Sequence, residues 1–483
     1  MNYDVLIIGG GVVGSSIARA LARYKIKIGV LEKAGDVCMG NSGRNTGLLH
    51  AGFLYGTDSY KAKFCIEGNR RFDQLAQELD VPLKRTGKLT VGSTSGERER
   101  LEKLVENGTR NGVPGMRIIE RDELRSMEPH VRGEFAMLTP TSAIINPYKY
   151  TIAIAENAAQ NGVEYHFNQE VVKSEKLPSG GWKLYTSKDV FETRWVINSS
   201  GFNADVVARI LSVDDYQLCN GKGEYLILDT KAGQYLSMPV YPAPDENWMY
   251  DVHVTPTIDG NVLVGPTILN DAVERGQFDT TQRAMKLLRE KGSELFAPMT
   301  PGMVIRSFAG QFPHIGAPST AKDDFILDVR KEEKAIHLIG IDSPGLTSAC
   351  VLGEWVAEQI VQCENLTLNA SFNPVRKGIV TFHDKDRETQ KRMIEENPDY
   401  GEIICRCESI TRAEILQAIH NPLGVVNMTG IKYRARSTMG RCQGGYCQTR
   451  ITAMICEECN VRPEEICYAD EGAFMFTGEV RNG

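Results

Sequence analysis

The chain opens on an unbroken apolar run, Val5-Leu6-Ile7-Ile8, short enough for one strand and without polar alternation. Such a run predicts a strand buried on both faces, as in a parallel sheet covered by helices. From Val12 to Tyr24 the apolar positions Val13, Ile17, Ala20 and Leu21 recur at helical spacing, and a second strand follows from Lys27 to Leu31. The succession is a β-α-β unit. It returns far downstream as a strand over Ala335 to Ile341, a turn at Asp342-Ser343-Pro344-Gly345, and a helix striped by Ala349, Leu352, Val356 and Ile360. Between these ends, residues 80–200 and 215–315 alternate strand- and helix-like stretches and read as scaffold. From Glu364 to Tyr400 the pattern fades. Charged residues dominate Lys385 to Glu396, with Pro374 and Pro398 on either side, which predicts an exposed connector carrying one polar helix. Beyond it, Thr411 and Glu414 stand at capping-box spacing and predict a helix start. A basic run spans Lys432 to Arg436, and another helix is expected after Cys447.

The turn between the first strand and helix reads Gly9-x-Gly11-x-x-Gly14. Glycines there permit a tight turn, close approach of a pyrophosphate and close helix–strand packing, while the helix N-terminus aims free N–H groups at the phosphates. Glu32 ends the second strand, where a carboxylate accepts hydrogen bonds from ribose hydroxyls. That acid disfavours a 2′-phosphate, leaving FAD or NAD ahead of NADP. The polar, glycine-rich loop from Gly40 to Gly52 can wrap a flat ring system. Together with the late strand–turn–helix it suits a large cofactor held by both ends of one domain, which favours FAD.

Near the C-terminus, Cys405 and Cys407 form a C-x-C pair and Cys442 and Cys447 a C-x4-C pair. Four thiolates are a full ligand set for a metal centre, and nearby glycines let backbone N–H groups point at the sulfurs. Structural zinc sites commonly space paired cysteines by two to four residues, and C-x-C is tighter than that. The preferred reading is a [2Fe–2S] cluster, with zinc or incidental thiols as the alternatives. Cys456, Cys459 and Cys467 are spare, and Cys65 and Cys350 read as small buried hydrophobes.

At 483 residues there is room for about three domains. A net charge of −7 and the lack of a basic domain argue against nucleic acid as partner. No apolar run reaches the roughly 18 residues that span a bilayer. The N-terminus shows no basic region or cleavage site of a secretory signal, so a cytoplasmic location is expected. Twelve cysteines in a reducing compartment are then not a disulfide framework.

The N-terminal fingerprint, Ser42-Gly43-Arg44-Asn45-x-Gly47-x-x-His50, Val196-Ile197-Asn198-Ser199-Ser200-Gly201 and the late glycine-rich turn together resemble the D-amino-acid-oxidase-like FAD-dependent oxidoreductases. Lys61-Ala62-Lys63, Gly87-Lys88-Leu89 and His253-Val254-Thr255-Pro256 look like L-2-hydroxyglutarate dehydrogenases. The two-part layout and Gly440-Arg441-Cys442-Gln443-Gly444 look like the large subunit of anaerobic glycerol-3-phosphate dehydrogenases, and the cysteine region like bacterioferritin-associated-ferredoxin-like domains. The resemblance implies a mixed α/β (α+β) fold. A Rossmann-like FAD-binding domain comes from about 1–80, 150–210 and 330–363. An antiparallel-sheet substrate part comes from about 80–150 and 215–330, a linker from 364–400, and a small helical [2Fe–2S] domain from 401–483. It implies FAD contacts at Gly9, Gly11, Gly14, Glu32, Ser42, Arg44, Asn45, Gly47, Leu49, Val172, Gly201, Gly340, Gly345, Leu346 and Thr347.

The implied reaction is oxidation of a small polar secondary alcohol, most like glycerol 3-phosphate. Electrons are expected to leave through the cluster to a second flavoprotein or electron-transfer subunit, or to a membrane quinone, with peripheral membrane contact through a partner. An L-2-hydroxyacid dehydrogenase, an amine or imino-acid oxidase and a non-catalytic redox relay are the alternatives. Alcohol oxidation needs a base, for which His50 and His253 are the candidates and His314 a weaker one; Arg306 is the candidate anion clamp. Both relatives carry a further arginine in a G-V-R pattern after that position. Here the stretch reads Ala309-Gly310-Gln311-Phe312, with Phe312 in the arginine's place.

Overall fold

Two eight-stranded sheets organise the computed structural model, which describes residues 2–267, 273–315 and 324–478. In the first sheet, Asn2–Ile8 pairs in parallel with Ile28–Leu31 on one side and Val190–Asn198 on the other. Glu164–His166 and Ala335–Ile339 extend this parallel core, so the two distant strand–turn–helix units enter one sheet. Antiparallel strands Val171–Lys176, Trp182–Thr186 and Ile326–Arg330 complete it. Helices Val12–Leu21 and Gly345–Glu364 pack over this sheet, burying Ile17, Leu21, Leu352 and Val356 with Val5, Ile7 and Val30. The apolar run at the N-terminus is therefore covered as its composition requires.

The second sheet takes its strands from 88–139 and 218–315. It is antiparallel apart from one pair, Val240–Pro242 beside Lys88–Gly92. Its long strands Leu218–Leu228 and Val304–Ile315 form one edge. A mixed helix-and-sheet fold with a small helical C-terminal unit results.

The connector carries the expected polar helix, Arg387–Glu396, with none of its residues buried. It does not hold the cysteine domain apart. The domain's helix Met428–Ala435 lies against the first domain, where Arg434 pairs with Asp36 and Glu156. Arg376 of the connector also binds Glu156, at 2.6 Å. Tyr433 stacks on Tyr148 at 4.3 Å between centroids, and Arg436 meets Asp259 at 2.8 Å. Among the described residues no helix is long and apolar enough to cross a membrane.

Candidate active site and cluster centre

A cavity of about 680 Å³ runs between the two sheets. One end is built by the N-terminal turn. Gly9 has φ +108°, and a Cβ on it would stand 2.7 Å from the Ser199 carbonyl oxygen. A Cβ on Gly14 would stand 2.0 Å from the Gly9 carbonyl oxygen, so the helix crosses the strand too closely for any side chain. Glu32 accepts the Gly10 N–H at 2.6 Å and the Ala34 N–H at 2.8 Å. Burial raises its pKa and those two bonds oppose the rise. Ser42 Oγ accepts the Val12 N–H at the helix start. Asn45 ties the following loop by donating to the Asn41 and Ser42 carbonyls and accepting the Gly47 N–H. A side chain at Gly11 would have only Ser42 Oγ within 4 Å, so this position opens onto the cavity. A bare backbone, a helix N-terminus and a buried acid suit a dinucleotide.

Of the expected cofactor residues, Gly9, Gly11, Glu32, Ser42, Arg44, Asn45, Gly201, Gly345 and Leu346 line the cavity. Gly14, Gly47, Gly340 and Thr347 stand behind its wall; Thr347 Oγ1 accepts the His50 backbone N–H at 3.0 Å. Two positions lie one residue off the cavity lining. Val172 is 55% exposed and it is Val171 that lines the cavity; likewise Leu48 lines it in place of Leu49. In a strand, a one-residue offset moves a side chain to the opposite face.

The other end gathers His50, His253, Lys88, Tyr241, Tyr250, Phe53 and Phe312. His50 Nε2 lies 3.2 Å from Ser343 Oγ, which lies 3.4 Å from the Tyr55 hydroxyl. His253 stacks on Tyr241 at 3.6 Å. Its Nδ1 donates to the Asp251 carbonyl at 3.4 Å, which leaves Nε2 as an acceptor. Burial pulls both imidazoles down to about 3, with nearby Lys88 adding to the effect, so both are neutral at physiological pH. Lys88 itself is only 3% exposed, and burial lowers it to about 7. Sequence reasoning missed this residue; the available signal was a lysine heading a strand that is otherwise apolar or small.

The anion clamp expected at Arg306 is not in this cavity. Arg306 faces the cysteine domain, donating to Gln443 Oε1 at 3.2 Å. It shares the strand Val304–Ile315 with Phe312, but six residues of extended chain separate them by about 20 Å. His314 is paired with Asp342 at 3.1 Å and does not line the cavity either.

The four expected cysteines do come together. Cys405 is hydrogen-bonded with Cys447, and Cys407 with Cys442. The first pair is buried and the second exposed. Thr411 caps the helix Arg412–Ile419 through a full capping box with Glu414, fixing the loop that carries the C-x-C pair. Backbone groups of Glu408 and Thr438 bond to Cys405, and those of Gly444 and Tyr446 to Cys442. The hydrogen bond from Cys447 brings Cys405 down to about 6. Among the described residues no group of three or more ligands closes on a single ion. Two thiol pairs instead suit two irons, each taking two thiolates. Cys456 and Cys459 pack against the domain's core from the helix Gln448–Cys459.

Comparison with known proteins agrees with this geometry. The model of the family described as FAD dependent oxidoreductase matches residues 4–359, and that of the BFD-like [2Fe-2S] binding domain matches residues 403–457. The chain belongs to the FAD dependent oxidoreductase family and carries a [2Fe–2S]-binding domain behind it. Its cofactors are FAD and a [2Fe–2S] cluster. Glycerol 3-phosphate dehydrogenase of Caloramator mitchellensis is 34% identical over 99% of both chains. L-2-hydroxyglutarate dehydrogenase of Indibacter alkaliphilus is 28% identical over 74% of this chain and 98% of its own. The FAD-bound L-alpha-glycerophosphate oxidase of Mycoplasma pneumoniae superposes with a TM-score of 0.71 at 28% identity, covering 78% of this chain and 98% of its own.

Proposed function

We propose that the protein is a cytoplasmic dehydrogenase that oxidises the secondary alcohol of glycerol 3-phosphate to the ketone of dihydroxyacetone phosphate. The observation that carries this is the reach of the Caloramator similarity through the flavin part and the cysteine part alike. Bound FAD supplies a two-electron acceptor for the hydride. His50 takes the hydroxyl proton as general base, because its Ser343 and Tyr55 neighbours offer a hydrogen-bonded way out for that proton. His253 orients the alcohol through Nε2. Cys405, Cys407, Cys442 and Cys447 would hold the cluster, which would supply one-electron chemistry toward a separate electron-transfer partner. Oxidation of an L-2-hydroxy acid is the second reading, supported by the 28% identity that spans nearly all of the Indibacter enzyme.

Stopped-flow reduction of the holoenzyme tests both readings. Glycerol 3-phosphate should bleach the flavin faster than L-2-hydroxyglutarate, glycine or proline, and the reverse order among the alcohols would install the second reading. His50→Asn should slow reduction by roughly 100- to 10,000-fold with a smaller change in affinity. Unaltered single-turnover reduction would remove His50 from the role of base.

A further inference from the structure

Lys88 heads a strand, Lys88–Gly92, in which every residue is buried. Its ammonium lies 4.3 Å from the centroid of Tyr241, 4.6 Å from that of Phe53 and 5.8 Å from that of Tyr250. Aromatic faces attract a cation but accept none of its three N–H groups in full hydrogen bonds. Among the described residues the Lys88 ammonium makes no ion pair and no hydrogen bond. Asp342, the acid lining the same end, is already paired with Lys61 and His314. Lysines are almost never fully buried without a partner, because an uncompensated charge in an apolar setting is costly. This one points into a cavity rather than into packed core.

We propose that Lys88 anchors the anionic group of the substrate, a phosphate or carboxylate oxyanion carried on a small hydroxylated carbon chain. The proposal rests on the alcohol-oxidation reading above and names the recognition element of that site. It also accounts for Phe312. Where the resembling families place an arginine, this chain lines the cavity with a phenyl ring, and the cation comes instead from the strand Lys88–Gly92, five strands away from that of Phe312 in the second sheet. A bound oxyanion has a second effect. Lys88 weakens both His50 and His253 as bases through its charge, and an anion on its ammonium cancels that field, so the histidines strengthen when substrate is seated.

The test uses flavin-loaded protein and reads binding apart from turnover. Flavin absorbance is titrated with inorganic phosphate and with malonate, and flavin reduction is followed with glycerol 3-phosphate, L-2-hydroxyglutarate and uncharged glycerol. Lys88→Met, which keeps the volume and removes the charge, should raise the dissociation constant of the preferred anion by about 100-fold. Lys88→Arg should recover part of it, and reduction by glycerol should fall far less than reduction by the anionic alcohols. The phosphate and malonate arms tell a phosphate monoester from a carboxylate. Anion binding that survives Lys88→Met, or an equal loss for glycerol and the anionic alcohols, overturns the anchor. If neither anionic alcohol reduces the unmutated protein while phosphate or malonate still binds in a Lys88-dependent way, the anchor stands and the substrate reading falls.

Discussion

Lys88 and Arg434 are both buried cations, and they show opposite ways of tolerating the burial. Arg434, with 2% of its side chain exposed, is saturated. It bonds Asp36 through both terminal nitrogens, at 2.5 and 3.1 Å, and Glu156 through Nε at 3.1 Å. Burial alone lowers its pKa, but Asp36 and Glu156 outweigh that and hold the guanidinium above its ordinary value. Lys88 has aromatic faces and only the weaker opposing pull of Cys65 against its desolvation, and it falls to about 7. The first arrangement is closed and joins two domains. The second is open and waits for a ligand. What separates them is whether the surrounding chain completes the charge's partners.

The strongest challenge to this contrast is to remove each cation in turn. Arg434→Met strands the buried Asp36 carboxylate and strips Glu156 of one of its two arginines, and should cost about 3–5 kcal/mol, read as a large fall in melting temperature of the holoenzyme. Lys88→Met leaves no partner behind and should hold or raise the melting temperature. Equal losses in the two variants would erase the distinction. A pH series then sharpens it. The folded-state pKa of Lys88, about 7, lies below its ordinary value of 10.5, so between these values the unfolded chain binds more protons. Lys88 therefore destabilises the fold at neutral pH, and this penalty shrinks as pH rises. Compared with Lys88→Met, the unmutated protein should gain about 2 kcal/mol between pH 7 and pH 9. A gap constant with pH would mean that the ammonium is solvated. The smallest effect belongs to Arg376→Met, which leaves Glu156 its bond to Arg434 and should cost about 1 kcal/mol.

The same contrast separates what the sequence discloses from what it conceals. The nucleotide end was legible because its logic is local: Gly9, Gly14 and Glu32 act within one β-α-β unit, at spacings that backbone geometry dictates. The four cysteines were legible because thiols at paired spacing have few other uses. Lys88 was not, because its significance comes from Tyr241 and Tyr250, which the fold brings from far along the chain. Arg306 looked like a substrate clamp on a long strand whose two ends serve different domains. Val172 and Leu49 were each one residue from the position that lines the cavity, a distinction that only strand pairing resolves.

The Arg434–Asp36–Glu156 joint also bears on how electrons could travel. Some redox proteins carry a cofactor module on a loose tether that swings between donor and acceptor. Here the connector and the cysteine domain are both pinned to the flavin part, through Arg376 and Arg434 onto one carboxylate. The module is bolted on. Transfer proposed between the two centres would proceed as through a fixed wire, at a pace set by an unchanging gap. An external acceptor of the kind proposed would then do the travelling, and come to the side where Cys407 and Cys442 reach the surface.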